Sequence, residues 1–285
     1  MELEHPDPVV AGRRRRVLIT GAGGQLGRAL AREFAADDVL ALTRADWDVT
    51  GPAGPDMPRG EELDLVLHTA AWTDVDGAEA EEEAATRING DGAGNLAAAA
   101  PFLVHVSSDY VFDGTATEPY TEGDPTGPRS AYGRSKLAGE HAVAEQGEHA
   151  IVRTAWVFGP HGRNFVATML KLAEDRDEVN VVADQIGCPT FTGHLAPALV
   201  QIAEQRLTGI LHVAGGGQCS WQEFAQAAFE EAGTGTTANP VTTAEFPRPA
   251  PRPPWSVLRS TRRDAPVLPY WRHGLTDYLN SEVLQ

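Results

Sequence analysis

The chain has 285 residues, 42% of them hydrophobic, and a formal net charge of −17. That length buries a sizeable core in one large domain or a domain with a lobe, and the composition excludes a disordered chain. The acidic balance argues against nucleic acid, though not against a small anion held by backbone N–H groups and a few arginines.

Residues 1–15 read as a flexible lead-in. They carry Pro and charge but no apolar signal core, so no export is expected. Arginines 13–16 read as solvated. Residues 17–20 form a short apolar run that stops at glycines, as a buried parallel strand does. Leu26, Leu30 and Phe34 then fall four apart on one helical face. Strands are expected over 39–43 and 63–70, and an Ala-rich helix over 78–100, with Glu79, Glu81, Glu82 and Glu83 as its wet face. A strand comes next over 102–108, then a helix over 130–144 and a strand over 150–158. This alternation predicts an α/β, Rossmann-type doubly wound parallel sheet.

Beyond Gly159 the rhythm changes. Residues 164–174 and 221–232 read as helical, and 180–183 and 210–215 as extended. The Pro-rich stretch 240–254 cannot be regular. The expected division is a dinucleotide-binding domain over 16–158, with returning segments near 195–215. A smaller C-terminal substrate-binding lobe covers mainly 159–285. No apolar run approaches the ~20 residues that span a bilayer, so no membrane contact is expected. Two cysteines make no disulfide framework, which suits reduced thiols in the cytoplasm. The nine histidines show no zinc spacing. His105 and His212 read as satisfied core residues.

The turn Thr20-Gly21-Ala22-Gly23-Gly24-Gln25-Leu26-Gly27 lies between the first strand and the first helix. Glycines there permit positive φ and close backbone approach, and the helix N-terminus offers N–H groups to a pyrophosphate. The second strand ends Leu42-Thr43-Arg44, and the first acid is Asp46. A missing acid and a present arginine favour NADPH over NADH, which remains a second choice.

Tyr132-Gly-Arg-Ser-Lys136 sets a phenol and an ammonium one helical turn apart. A carbonyl that accepts hydride at carbon needs a proton at oxygen. A phenol becomes a better acid when a cation lowers its pKa, a role for Lys136. Ser108 ends a strand at the sheet's carboxyl edge, where its hydroxyl can fix the carbonyl. No G-x-S-x-G elbow competes with this set.

These residues resemble the extended short-chain dehydrogenase/reductases, and among them the dTDP-4-dehydrorhamnose reductase family. The resemblance runs from about residue 16 to 279. It includes Ser107-Ser108-Asp109-Tyr110-Val111-Phe112-Asp113-Gly114 and Asp184-Gln185-Ile186-Gly187-Cys188-Pro189-Thr190. It implies Ser108, Tyr132 and Lys136 as catalytic residues. It further implies cofactor contacts at Asp48, Val49, Ala70, Ala71 and Thr73, and sugar contacts at Asp109, Tyr110 and Trp156. Asn164 and Arg252 match the substrate lobe more loosely. Some members dimerise around magnesium. At the matching acidic positions this chain has Ala29 and Gly193, so no metal is expected, and a monomer or weak homodimer is.

The implied activity is NADPH-dependent reduction of the C4 ketone of a dTDP-4-keto-6-deoxyhexose. Two alternatives stay open: a non-catalytic regulatory subunit of the methionine adenosyltransferase beta type, and a sugar-nucleotide epimerase or dehydratase. The latter would retain and recycle its cofactor, whereas a reductase consumes it.

Overall fold

The computed structural model describes residues 13–51 and 63–281. The expected lead-in lies outside the described residues up to residue 12. Arg13, Arg14 and Arg15 are exposed, as expected of solvated arginines, and two of them are also ion-paired: Arg13 donates to both Asp64 oxygens (2.7 and 2.8 Å) and Arg15 to both Asp37 oxygens (2.9 Å each).

The first half alternates strand and helix. β1 (Arg16–Thr20), α1 (Gln25–Glu33), β2 (Asp38–Leu42) and β3 (Leu65–His68) come first. Next are α2 (Val75–Ala80), α3 (Glu82–Thr86), α4 (Gly92–Ala99), β4 (Leu103–Ser108), α5 (Ala131–Ala144) and β5 (His149–Thr154). The second half holds β6 (Val157–Phe158), α6 (Phe165–Ala173), β7 (Glu178–Val182), β8 (Ile186–Gly187), β9 (Thr190–Phe191) and α7 (Thr192–Glu204). It closes with β10 (Gly209–His212), β11 (Cys219–Ser220), α8 (Trp221–Ala232), β12 (Thr237–Val241) and α9 (Trp271–Leu279).

Six strands form one parallel sheet in the order β10-β5-β4-β3-β1-β2. The chain leaves β1 for β2 on one side and returns to β3 on the other. The crevice outside the carboxyl ends of β1 and β3 is therefore a topological switch point, the place such sheets bind ligands. α1 and α7 cover one face through Leu30, Phe34, Leu195, Leu199 and Ile202, all 0% exposed. Ala93, Leu96 and Val143, from α4 and α5, cover the other. Each buried Leu or Phe contributes about 1.5–3 kcal/mol. A separate cluster of Phe158, Phe224, Trp271, Leu275 and Tyr278 packs α8 and α9 together.

Several elements differ from the sequence reading. The helix expected over 78–100 starts at Val75, breaks at Glu81, and passes through a π-turn, Arg87–Asp91, before α4. Its acidic run is not just a wet face. Glu79 accepts the Ala131 N–H (2.8 Å), and Glu82 binds Arg134 through two bonds (2.6 and 2.7 Å). Both anchor the start of α5. The strand expected over 150–158 is interrupted at Trp156, whose φ of +46° ends β5 and starts β6. The Pro-rich segment begins inside a strand: Pro240 and Val241 belong to β12, paired only with β7, and such an edge tolerates proline. α7 and α9 had no reading of their own. α7 opens without a side-chain cap, so its start carries no local signal. Cys188 and Cys219 are buried and unpaired. Among the described residues no helix is long and apolar enough to cross a membrane.

Candidate active site at the carboxyl edge of the sheet

The glycine turn fixes the centre of the site. Gly21 has φ +70°, and a Cβ there would lie 2.6 Å from the Ala70 nitrogen on the β3 side. A Cβ on Gly27 would lie 2.3 Å from the Gly21 carbonyl oxygen. Only glycine lets the turn, the helix and the neighbouring strand approach this closely. Gly24 caps α1 with no side-chain hydrogen bond, so no cap occupies the first-turn N–H groups. A helix start of this kind suits a pyrophosphate.

A cavity of about 570 Å³ opens on one side of the turn. Gly21 and Gly24 line it, with Arg44, Asp48 and Val49 after β2 and Ala70, Ala71 and Thr73 after β3. A second cavity, about 430 Å³, shares Gly21, Gly24, Ala71 and Thr73 with the first. Gln25, Leu26 and Gly27 line it from α1, together with Ser108, Asp109, Tyr132, Lys136 and Trp156. The two make one trench divided at the phosphate turn, the shape an extended dinucleotide requires. The open polar groups fit that ligand, with donors at the uncapped α1 N-terminus and an acceptor on Gln25. The Gln25 side-chain oxygen is buried with no partner, and its nitrogen donates to the Arg163 carbonyl (2.9 Å). Asp46 is exposed and engaged locally: its Oδ2 accepts from the Thr43 hydroxyl (2.6 Å) and N–H (2.9 Å), which hold its pKa below the usual carboxylate range. Arg44, exposed, lines that end of the trench beside Asp48.

The reacting groups converge from three elements. Ser108 closes β4, and its Oγ donates to Asp109 Oδ1 (2.9 Å) while accepting the Tyr110 N–H (3.2 Å). Tyr132 and Lys136 come from successive turns of α5, and Ser130 caps that helix through the Gly133 N–H (3.1 Å). Lys136 is 3% exposed and donates from Nζ to the Val106 carbonyl (2.7 Å). Burial pulls its pKa down to about 8, opposed by the charge of Glu140.

Tyr132 departs from the sequence reading in one respect. Burial pushes its phenol up to about 12, the Ser108 hydroxyl opposes this, and Asp109 adds to it. Desolvation outweighs any help from a cation, so the phenol holds its proton throughout the neutral range. Asp109 is pushed up to about 6, chiefly by burial, with Ser256 and Ser108 hydrogen bonds opposing, and its Oδ2 is buried without a partner.

Trp156 lies flat on Trp221, centroids 3.5 Å apart and planes 5° apart. Its positive φ is uncommon for a bulky residue and is the kind of local strain that collects at functional sites.

Three expected residues lie beside the trench and do not line it. Tyr110 sets its ring edgewise on Tyr132 (5.7 Å, 77°). Asn164 caps α6: Oδ1 accepts the Ala167 N–H (2.9 Å), and Nδ2 donates to the Gly159 carbonyl (3.0 Å) and the Tyr278 hydroxyl (3.2 Å). Arg252 binds Asp76 through two bonds (2.8 and 3.1 Å), and that pairing, with burial opposing, pulls Asp76 down to about 2.

The sequence reading missed Trp221, Arg163 on the trench, and Asn89. Asn89 sits in the π-turn and grips the Trp72 backbone from both sides (2.8 and 3.2 Å), which shapes the 70–74 wall. A π-turn is a frequent mark of a functional helix, though nothing in the local sequence announces it. His212 is satisfied as expected, its Nδ1 meeting the Tyr120 and Arg259 carbonyls (3.1 and 3.2 Å). His105 is not. Both of its ring nitrogens are buried without partners, its ring stacks on His68 at 5.2 Å, and burial holds it neutral.

A parallel switch-point sheet, a glycine turn, and a Ser–Tyr–Lys set facing one trench together define an extended short-chain dehydrogenase/reductase. Residues 15–283 match the family described as the RmlD substrate binding domain. The chain belongs to this family. It is 45% identical to the dTDP-4-dehydrorhamnose reductase of Mycobacterium tuberculosis over 95% of this chain and 94% of the relative. It is 43% identical to a probable dTDP-4,6-dihydroxy-2-methyloxan-3-one 4-ketoreductase of Streptomyces antibioticus, over 92% and 94%. The Bacillus anthracis dTDP-4-dehydrorhamnose reductase, solved in complex with NADP, superimposes with a TM-score of 0.87 at 37% identity, over 93% of this chain and 99% of that one.

Proposed function

We propose that the chain is a sugar-nucleotide 4-ketoreductase of deoxysugar biosynthesis. It reduces the C4 ketone of a dTDP-4-keto-6-deoxyhexose with NADPH, in the manner of dTDP-4-dehydrorhamnose reductase. The observation that carries this is the convergence of Ser108, Tyr132 and Lys136 on the cavity that also receives the phosphate turn. The names of the relatives and the NADP complex of one of them support it.

NADPH supplies the hydride that reduces C4. Tyr132 donates its phenolic proton to the C4 oxygen, and its burial keeps that proton in place until transfer. Ser108 turns its hydroxyl from Asp109 to the substrate oxygen and holds it for attack. Lys136, largely ionised at neutral pH, steadies the Tyr132 phenolate and reaches for a ribose hydroxyl. Gly21, Gly24 and the α1 N-terminus bind the pyrophosphate, and Arg44 the 2′-phosphate. Asp109 and Trp156 flank the hexose, Tyr110 packs behind Tyr132, and Asn164 and Arg252 shape the lobe that carries the nucleotide. Residues 16–158 form the dinucleotide-binding part, with segments returning near 195–215. The enzyme works in the cytoplasm as a monomer or weak homodimer. The intact Ser108, Tyr132 and Lys136 favour this reading over a regulatory subunit.

The test is a panel of 4-keto-6-deoxy sugars on dTDP, UDP and GDP, assayed by loss of NADPH absorbance. The dTDP sugar should be consumed fastest. Sugar conversion with no NADPH consumed, or no conversion of any member, overturns the proposal.

A further inference from the structure

The end of β4 is tied to α5 one residue at a time. Lys136 Nζ holds the Val106 carbonyl at 2.7 Å. One turn later, Glu140 accepts the Ser107 hydroxyl at 2.5 Å. The next residue of the strand is Ser108. Glu140 also accepts from Arg153 of β5 through Nε (2.9 Å) and a terminal nitrogen (2.7 Å), and both charged partners are only 3% exposed. Arg153 pairs in register with Ser107 and lies 5.0 Å over the Phe112 ring. A buried pair of this kind is costly to desolvate and is retained most understandably where it fixes a geometry.

We infer that Glu140 is a positioning residue of the reductase proposed above: its bonds to Ser107 and Arg153 lock β4 against α5, and it stands on α5 one helical turn beyond the catalytic lysine. The groups around Lys136 make that carboxylate decisive. His68 on β3 and His105 on β4 are both held neutral, chiefly by burial, and so put no charge beside the lysine. Glu140, on α5 itself, is the group that acts in favour of the charge. Arg153 of β5 stands behind Glu140 and is neutralised by it.

The chain contains two lysines, Lys136 and the exposed Lys171. Protein carrying lysine labelled with carbon-13 at Cε therefore gives two NMR signals, and the pH titration of Lys136 can be tracked with no substrate or cofactor. This readout stays valid even if the sugar specificity proposed above is wrong. In Glu140→Gln, Lys136 should titrate about one pH unit lower than in wild type. The basic limb of kcat/KM should move down with it, and kcat should fall by about tenfold or more. Ser107→Ala keeps the charge and removes the tie to the strand, so kcat should fall with the Lys136 titration unchanged. If Glu140→Gln leaves Arg153 uncompensated and unfolds the chain, Glu140→Gln/Arg153→Met removes both charges and should fold, with the low Lys136 titration intact. A folded single or double variant with wild-type Lys136 titration and wild-type kcat would overturn the inference.

Discussion

Replacing Tyr132 with Phe removes one oxygen and leaves the rest of the site in place. The ring still packs edgewise on Tyr110 at 5.7 Å, and Ser108 keeps Asp109 as its acceptor at 2.9 Å. The melting temperature should barely move, since the change in stability is within about 1 kcal/mol for a substitution that creates no cavity. The effect on rate is of a different order. The phenol is held at about 12 by burial, so it carries its proton at every pH of interest, and the variant lacks that proton. A lost general acid costs about 10²–10⁴ in rate, or about 3–5 kcal/mol at 1.36 kcal/mol per decade. The assay is single-turnover oxidation of NADPH with saturating sugar nucleotide, beside a fluorescence titration of NADPH binding. The expected result is a rate loss of at least about 100-fold with NADPH affinity within about twofold of wild type. Near-normal turnover in a folded variant would refute the assignment of the proton to Tyr132.

Three more outcomes are expected. Arg44→Ala should raise KM for NADPH by about tenfold while leaving NADH nearly unchanged, because only NADPH carries a 2′-phosphate; an equal change for both cofactors refutes this role. Asp109→Asn should stabilise the fold above neutrality. The Asp109 carboxyl is raised to about 6, so the native state is favoured below pH ~4 and loses up to about 3 kcal/mol as pH rises through 6. Thermal melts at pH 4.5 and 7.5 should show the variant gaining more at the higher pH, by about 2 kcal/mol, and a pH-independent difference contradicts the argument. Excess EDTA should change neither turnover nor mass by light scattering, since Ala29 and Gly193 offer no side-chain oxygen to a hard cation.

Much of the sheet was legible because parallel strands and their helices write themselves as local patterns. The run before Gly21 and the spacing of Leu26, Leu30 and Phe34 needed no tertiary information. The Tyr132 and Lys136 pair was legible for the same reason, since one helical turn fixes it. The features that stayed hidden depend on distant partners. Glu82 looks like any wet-face acid until Arg134 is seen to meet it from 52 residues away. Trp221 is a helix-opening aromatic until it stacks on Trp156. Arg252 sits in an irregular Pro-rich stretch, and its partner Asp76 is 176 residues away in sequence. Electrostatics were equally non-local. The spacing of Tyr132 and Lys136 suggests a lowered phenol pKa, but the depth of burial, which spacing does not encode, pushes it the other way.

The most direct test of the reductase account uses NADPH deuterated at the transferable position of its nicotinamide, with a dTDP-4-keto-6-deoxyhexose as substrate. The account predicts one NADPH consumed per sugar reduced and one deuterium at C4 of the product, read by NMR. A product without deuterium at C4, or sugar turnover that leaves NADPH unconsumed, would contradict it.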